Sequence, residues 1–304
     1  MSRTVYLGTS GFAADVLRRL AASAHRPALV VSPPDSRSGR GRRAQPPPVA
    51  DAARELGIEL FQAEDVNEPP ALEAIRAARP EAAGVCAFGQ LVREPLLSEL
   101  ELLNVHPSLL PRWRGAAPIE RAILAGDERT GVCVMRVTAG LDSGPVALRE
   151  EVEIGREEDF GGLSERLAAL GGELLVRALD LRAAGKLEYS AQDEAAVTYA
   201  EKVEPAERRL DPARPAAELE RVVRGLTPHV GAYLEAAEGG RLGVRRAAAA
   251  EGGPAAGAIE AAGDALLLGC ADGSLRIESV QPPGGRSMPV KAYLRGNDPP
   301  AAAV

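Results

Sequence analysis

The feature of this 304-residue chain that most restricts its fold is an alternation of short apolar runs with amphipathic segments through its first half. The runs predicted as strands are Thr4–Leu7, Ala28–Val31, Ile58–Phe61, Ala83–Phe88, Leu102–His106 and Gly131–Val137. Helical spacing, such as Phe12, Val16 and Leu20, separates them, and further helices are predicted at Val49–Leu56, Ala71–Ala78, Pro95–Leu100 and Ile119–Ala125. This alternation is typical of a parallel, doubly wound α/β sheet, so we predict a Rossmann-like N-terminal domain.

The pattern changes after residue 185, where charged and proline-rich sequence runs to Pro215. Beyond it an amphipathic helix carries Leu219, Val222, Val223 and Leu226, and short apolar runs separated by Gly-Asp and Asp-Gly pairs follow. These features indicate a small OB-like β-barrel. We predict three parts: a catalytic domain at 1–189, a linker at 190–207 and a C-terminal barrel domain at 208–304.

The charge balance at first argues against nucleic acid, because 36 basic and 43 acidic residues leave a net charge of −7. Four arginines nevertheless crowd into one glycine-spaced segment: Arg37, Arg40, Arg42 and Arg43. Such a segment is commonly a solvated loop. The functional alternative is a loop that binds RNA phosphates.

The three cysteines, Cys86, Cys133 and Cys270, are far apart and form no C-x-x-C pair. They are typical of reduced structural thiols. The N-terminus lacks the apolar segment of a signal peptide, and no run approaches the length of a membrane span. We expect a soluble cytoplasmic protein with no membrane partner.

The densest group of chemically capable residues lies at the end of the predicted strand Leu102–His106. A strand's period of two puts Asn104 and His106 on one face, at the carboxyl end where open α/β sheets bind ligands. A carboxamide can donate to a developing oxyanion and an imidazole can donate or relay a proton, which suits acyl transfer to an amine. Asp142 could orient His106.

A purely structural role for these three residues stays open at this point. Asn104 and His106 could cap or turn the chain before Pro107. Asp142 lies in Asp-Ser-Gly-Pro, which is strong turn sequence.

The sequence Asn-Val-His-Pro-Ser-Leu-Leu-Pro-Arg-Trp-Arg-Gly-Ala-Ala-Pro-Ile at 104–119, with Leu-Asp-Ser-Gly-Pro at 141–145, resembles the signatures of the methionyl-tRNA formyltransferase family. The resemblance covers nearly the whole chain, including Tyr-Ala-Glu-Lys-Val at 199–203. It differs from the family pattern at Ser10-Gly11 and at residues 227–230.

This resemblance implies that Asn104, His106 and Asp142 form the catalytic trio. It further implies that the formyl donor 10-formyltetrahydrofolate contacts two segments: Ser108, Leu109, Leu110 and Pro111, and, less specifically, Phe88, Gly89 and Gln90. The arginine segment would reach the acceptor stem of the tRNA. The implied reaction formylates the α-amino group of methionyl-initiator tRNA, with no metal, and we expect a monomer.

Three other functions were weighed. A dinucleotide-dependent dehydrogenase would need a second glycine where Ser10 stands, so its fingerprint fails. A non-enzymatic RNA-binding module would explain the arginines without the trio. A formyltransferase acting on a sugar amine or a glycinamide nucleotide would share the trio but not the arginine segment and the barrel.

Overall fold

The computed structural model describes residues 2–38 and 43–304, apart from the side chains at 37, 38 and 43. The chain forms two compact units. The first comprises the residues up to Pro118, Arg129–Glu153 and Ser164–Ala200; the second comprises Ile119–Glu128, Ile154–Leu163 and Glu201–Val304. The domain boundaries 1–189, 190–207 and 208–304 stay a prediction.

The first unit contains one large sheet and short accessory strands. Its strands are β1 (Thr4–Gly8), β2 (Pro27–Ser32), β3 (Ser36–Ser38), β4 (Arg43–Gln45), β5 (Glu59–Gln62), β6 (Ala82–Cys86), β7 (Leu102–His106), β8 (Arg114–Gly115), β9 (Arg129–Arg136), β10 (Val146–Glu153) and β11 (Tyr199–Ala200). Seven of them form one sheet in the order β10-β9-β7-β6-β1-β2-β5.

The predicted parallel arrangement is confirmed for five strands, because β7, β6, β1, β2 and β5 pair in parallel. The two remaining strands differ: β9 runs antiparallel to β7, and β10 runs antiparallel to β9. An apolar run indicates a strand but carries no direction, and β10 is an edge strand with several exposed charged residues that lacks such a run. The unit is therefore Rossmann-like with an antiparallel extension.

The helices of the chain are α1 (Gly11–Ala21), α2 (Pro48–Leu56), α3 (Pro69–Ala77), α4 (Leu96–Glu99), α5 (Pro118–Ala125), α6 (Phe160–Ala183), α7 (Ala216–Leu226) and α8 (Val290–Tyr293). The predicted helices are confirmed with ends shifted by at most two residues. Local chemistry fixes several ends: the Ser10 hydroxyl accepts from the Ala13 amide, and Gly57 ends α2 in the left-handed region at φ 64°. The sequence analysis missed α6, whose two Gly-Gly pairs lower its helix propensity.

The second unit is an antiparallel sheet consistent with the predicted small barrel. Its strands are β12 (Ala232–Glu235), β13 (Arg241–Ala250), β14 (Ile259–Ala262), β15 (Ala265–Gly269), β16 (Ser274–Gln281) and β17 (Met288–Pro289). They run in the order β12-β13-β16-β15-β14, with β17 on β16. Register irregularities between Val244 and Ala247 allow β13 to bend.

The C-terminal residues of the chain link the two edges of this sheet. Ala303 bridges to Ala236 beside β12, and Ala302 bridges to Ala258 beside β14. The predicted apolar face of α7 is buried in the core of this unit, at Leu219, Val222, Val223 and Leu226. These two bridges cover part of each sheet edge.

Among the described residues, no helix is both long and apolar enough to cross a membrane. No group of three or more His, Cys, Asp or Glu side chains in residues 2–38 and 43–304 could hold a metal ion.

Gly171 provides a test of how α6 supports β7. A Cβ at Gly171 would lie 2.6 Å from Cγ1 of Val105, closer than real Cβ atoms approach a carbon. Gly171→Ala should therefore lower the free energy of unfolding by about 1–3 kcal/mol through overpacking, although alanine is intrinsically the better helix former. Urea titration monitored by circular dichroism measures the change.

Gly162→Ala is the matched control on the same helix. Its nearest atom would be 3.7 Å away, an ordinary contact. It should leave the stability unchanged or raise it. Equal stability of Gly171→Ala and wild type would show that α6 does not approach β7 this closely.

Candidate active site

The candidate site begins with the strand β7, whose bounds match the predicted Leu102–His106. Asn104 pairs with Met135 and His106 with Cys133 across the β7–β9 ladder, so the strand is regular. The alternation puts both side chains on one face at the carboxyl end. Val105 points the opposite way, towards α6.

The Asn104 carboxamide makes no hydrogen bond to any residue among those described, although the residue is half-buried. A carboxamide carries two N–H donors and an acceptor oxygen that a ligand can use. The group is therefore available to a ligand at the end of β7.

His106 is 4% exposed, and both of its ring nitrogens face oxygen atoms. Nε2 lies 2.8 Å from the carbonyl oxygen of Trp113. Because a carbonyl only accepts, Nε2 carries the proton, and the neutral ring keeps its lone pair on Nδ1. Nδ1 lies 3.6 Å from Oδ2 of Asp142, within ion-pair range.

Asp142 adopts the left-handed conformation, at φ 45°, in the turn that the Asp-Ser-Gly-Pro sequence predicts. Its carboxylate accepts a hydrogen bond from the Gly115 amide, with 2.9 Å between nitrogen and Oδ2. The same oxygen thus faces both a backbone donor and the His106 ring. A proton that reaches Nδ1 would lie opposite a carboxylate, which stabilises an imidazolium.

Three neighbours of this group were missed by the sequence analysis, namely Trp113, whose carbonyl accepts from His106, Gly115 and Gln192. The signal for Gly115 was its being a glycine; its φ of 122° and the 2.8 Å from an added Cβ to the Ala200 oxygen explain why glycine is needed there. Gln192 carried none. Its carboxamide donates to the carbonyl oxygens of Asp142 and Gly144 from 50 and 48 residues away.

The first predicted donor-binding segment follows directly after β7. The Ser108 side chain is fully buried, and its hydroxyl donates to the Arg112 carbonyl. Leu110 is buried against Cys133 and Met135. Leu109 and Pro111 are half-exposed. Leu109 and Pro111 are accessible to a ligand, whereas the Ser108 hydroxyl and the Leu110 side chain are not.

The second predicted segment shows a similar division. Phe88 belongs to the apolar core of the first unit, and its carbonyl accepts from the Thr9 hydroxyl. The Gln90 carboxamide donates to the Ala63 carbonyl and accepts from the Val66 amide, so it holds a neighbouring loop. Gly89 is exposed, with φ 78°. A contact between this segment and a ligand would use the backbone around Gly89.

The predicted tRNA-binding residues lie in or beside the segment 39–42, which is outside the described residues. Arg40 and Arg42 are outside the described residues, as are the side chains of Arg37 and Arg43. Their role stays a prediction.

Known proteins similar to this chain cover both of its units. A family model described as "Formyl transferase" matches residues 2–179, and one described as "Formyl transferase, C-terminal domain" matches residues 202–298. The chain belongs to the formyl transferase family.

Within this family, curated proteins named methionyl-tRNA formyltransferase are similar over nearly their full length. The protein of Parvibaculum lavamentivorans is 41% identical over 299 residues, covering 97% of this chain and 96% of its own. That of Dinoroseobacter shibae is 43% identical over 301 residues, covering 98% and 99%. This formyl transferase chain is thus a member of the methionyl-tRNA formyltransferase group, as its motifs implied.

Solved structures confirm the fold of the formyl transferase family. HypX from Aquifex aeolicus in complex with tetrahydrofolic acid has a TM-score of 0.67 and 17% identity, covering 97% of this chain and 47% of that chain. An N-formyltransferase from Helicobacter canadensis, in complex with folinic acid and dTDP-3-aminofucose, has a TM-score of 0.67 and 12% identity, covering 95% and 100%.

The cysteines test whether this formyl transferase uses a thiol nucleophile. Burial raises the pKa of Cys133 to about 11 and that of Cys86 to about 12, and burial also raises the pKa of Cys270. All three should stay protonated near pH 8, and only a thiolate attacks. Ellman's reagent should label no thiol of the native protein within minutes and all three in guanidinium. Rapid native labelling that also inactivates the enzyme would point instead to a reactive cysteine.

Proposed function

We propose that this enzyme transfers the formyl group of 10-formyltetrahydrofolate to the α-amino group of methionyl-initiator tRNA. The observation that carries the proposal is the 41–43% identity to methionyl-tRNA formyltransferases across both units, not only the catalytic one. A formyl donor supplies an activated one-carbon acyl group. The protein therefore needs to bind and orient the two substrates and to transfer protons between them. No metal has to take part in this chemistry.

Two exposed leucines lie beside segments of the candidate site. Leu141, beside Asp142, is 60% exposed, and Leu91, after the Gly89-Gln90 segment, is 55% exposed. Ligand sites combine apolar side chains with a few polar groups that fix the orientation of the ligand. The unpartnered Asn104 carboxamide supplies such a polar group. We propose that residues 88–90 and 108–111 hold the folate through the backbone around Gly89 and through the Leu109 and Pro111 side chains.

In the proposed mechanism, Asn104 stabilises negative charge. As the amine nitrogen bonds to the formyl carbon, the formyl oxygen becomes an oxyanion, and the Asn104 N–H donates to it. His106 suits this role less well, because its Nε2 proton is already donated to Trp113. Oxyanion stabilisation of this kind is commonly the largest single contribution to acyl transfer.

His106 and Asp142 handle the proton in the same scheme. The attacking amine becomes cationic and must lose a proton, which His106 Nδ1 accepts. The Asp142 carboxylate, 3.6 Å away, stabilises the resulting imidazolium. Nδ1 then returns the proton to the departing nitrogen of the donor as the old carbon–nitrogen bond breaks, so protons and charges balance over the cycle.

The arginine segment is proposed to contact the tRNA. Four arginines within residues 37–43 give an otherwise acidic chain one basic site for a phosphate backbone. We further propose that the enzyme works in the cytoplasm, where aminoacyl-tRNA is used. Each unit has its own apolar core, and the C-terminal residues bridge to both edges of the barrel sheet, which supports action as a monomer.

Substrate choice is the deciding test. Full-length enzyme is incubated with the folate donor and, in parallel, methionyl-initiator tRNA, methionyl-elongator tRNA, a sugar-nucleotide amine or glycinamide ribonucleotide. Formylated product should appear with the initiator tRNA and be far less with the other three. Preferential formylation of the sugar amine or the glycinamide would replace the proposed substrate. No product with any acceptor would favour a binding module without catalysis.

Asn104→Ala tests the oxyanion role. Single-turnover formylation should slow by about 100- to 1,000-fold, because one oxyanion donor is lost. Asn297→Ala, which removes an exposed asparagine amide of the second unit that donates to the Tyr293 carbonyl, is the control and should keep the wild-type rate. A rate for Asn104→Ala within a few-fold of wild type would assign the oxyanion to other donors.

Arg42→Ala tests the tRNA contact. The KM for the tRNA should rise, and the slope of log affinity against log salt should flatten by about one, since one phosphate contact is lost. The KM for the folate donor should not change. Arg177→Ala, an exposed arginine on α6, is the matched control and should leave the slope unaltered. An unchanged slope for Arg42→Ala would make the segment a solvated loop.

A further inference from the structure

The side chain of Gln192 lies against the turn that carries Asp142. Its Nε2 donates two hydrogen bonds, to the carbonyl oxygens of Asp142 at 2.8 Å and of Gly144 at 2.7 Å. Its Oε1 accepts from the Nε of Arg114 at 3.0 Å. Its Nε2 also lies 4.0 Å from Sδ of Met135, a weaker contact, so the two short bonds of Nε2 both end on one turn.

The orientation of this amide is unambiguous. Two carbonyl oxygens can only accept and an arginine Nε–H can only donate, so exchanging Oε1 and Nε2 would oppose oxygen to oxygen and hydrogen to hydrogen. The network thus selects a residue with a donor pair at one end and an acceptor at the other.

The turn needs such support because Asp142 is strained. Its φ of 45° is an unfavourable region for a residue with a Cβ, and such conformations persist where surrounding contacts fix them. Gly144 is equally confined, since an added Cβ would lie 1.8 Å from the Arg136 oxygen. Gln192 binds the carbonyls of both residues.

Arg114 in turn fixes Gln192. The residue is 3% exposed, and its two terminal nitrogens bind the Glu194 carboxylate at 3.2 and 2.7 Å. This pairing raises the pKa of Arg114 and lowers that of Glu194. The adjacent Gly115 amide donates to Asp142 Oδ2. One strand, β8, therefore reaches Asp142 by two routes: directly to its carboxylate and through Gln192 to its backbone.

We propose that Gln192 is a positioning residue that sets the location of the Asp142 carboxylate opposite His106. It does so through the backbone of the turn and touches no reacting atom. This inference rests on the proposed formyl transfer, because Asp142 stabilises protonated His106 in that reaction.

Two variants separate the contacts of Gln192. Gln192→Met keeps the size and removes the hydrogen bonds to Asp142, Gly144 and Arg114. Gln192→Glu keeps the acceptor for Arg114 but replaces both donors with an oxygen that repels the two carbonyls. Each should lower kcat by about 10- to 100-fold, the cost of a catalytic group misplaced by about 1 Å, with KM for the tRNA and the folate within about twofold. Glu188→Met, an exposed residue of the same segment, is the control and should keep the wild-type kcat.

A double-mutant cycle with Asp142→Ala distinguishes positioning from general support of the fold. If Gln192 acts through Asp142, Gln192→Glu should cause no further loss of kcat in the Asp142→Ala background. Multiplied losses would overturn the proposal, as would a wild-type kcat for Gln192→Glu. Should Gln192→Met fail to fold, Gln192→Glu alone decides.

Failure of the proposed function gives a different result from failure of this inference. If the wild-type enzyme forms no formylmethionyl-tRNA, the proposed function is wrong, whatever the variants do. Active wild-type enzyme with an equally active Gln192→Glu removes only the role of Gln192.

Discussion

The hydrogen bond from the Gly115 amide to the Asp142 carboxylate is the contact around which the site of the first unit is arranged. It requires glycine at 115, because a Cβ there would clash with the Ala200 carbonyl oxygen. It requires a strained turn at 142. It also fixes the carboxylate beside the one ring nitrogen of His106 that is free to gain a proton. Segments far apart in sequence meet at this single bond.

The parts of this site that lie within one element could be predicted from the sequence. The strand Leu102–His106 was predicted to the residue, because its apolar period and the following Pro107 are local signals. That Asn104 and His106 share its face followed from the pleat alone. The third member, Asp142, needed the family resemblance, since its own sequence indicates only a turn.

The parts that could not be predicted are contacts across long sequence separations. Gln192 fell in the predicted linker, yet its carboxamide is bound to the turn at 142–144, and Tyr199–Ala200 pairs with Arg114–Gly115 as strand β11. No periodicity records such pairings. The same reason explains the strand directions: β9 and β10 are antiparallel because of how the chain returns to the sheet, which composition does not encode.

The acceptor that fixes the His106 tautomer is a main-chain carbonyl, that of Trp113, and not a side chain. Sequence drift at position 113 can change the indole but cannot delete the oxygen. The tautomer depends instead on the direction in which one peptide plane faces, in a loop where Trp113 adopts a φ of 65°. Replacing the side chain at 113 therefore keeps the acceptor of the His106 proton, whereas a change in the conformation of this loop would move that acceptor and alter the tautomer.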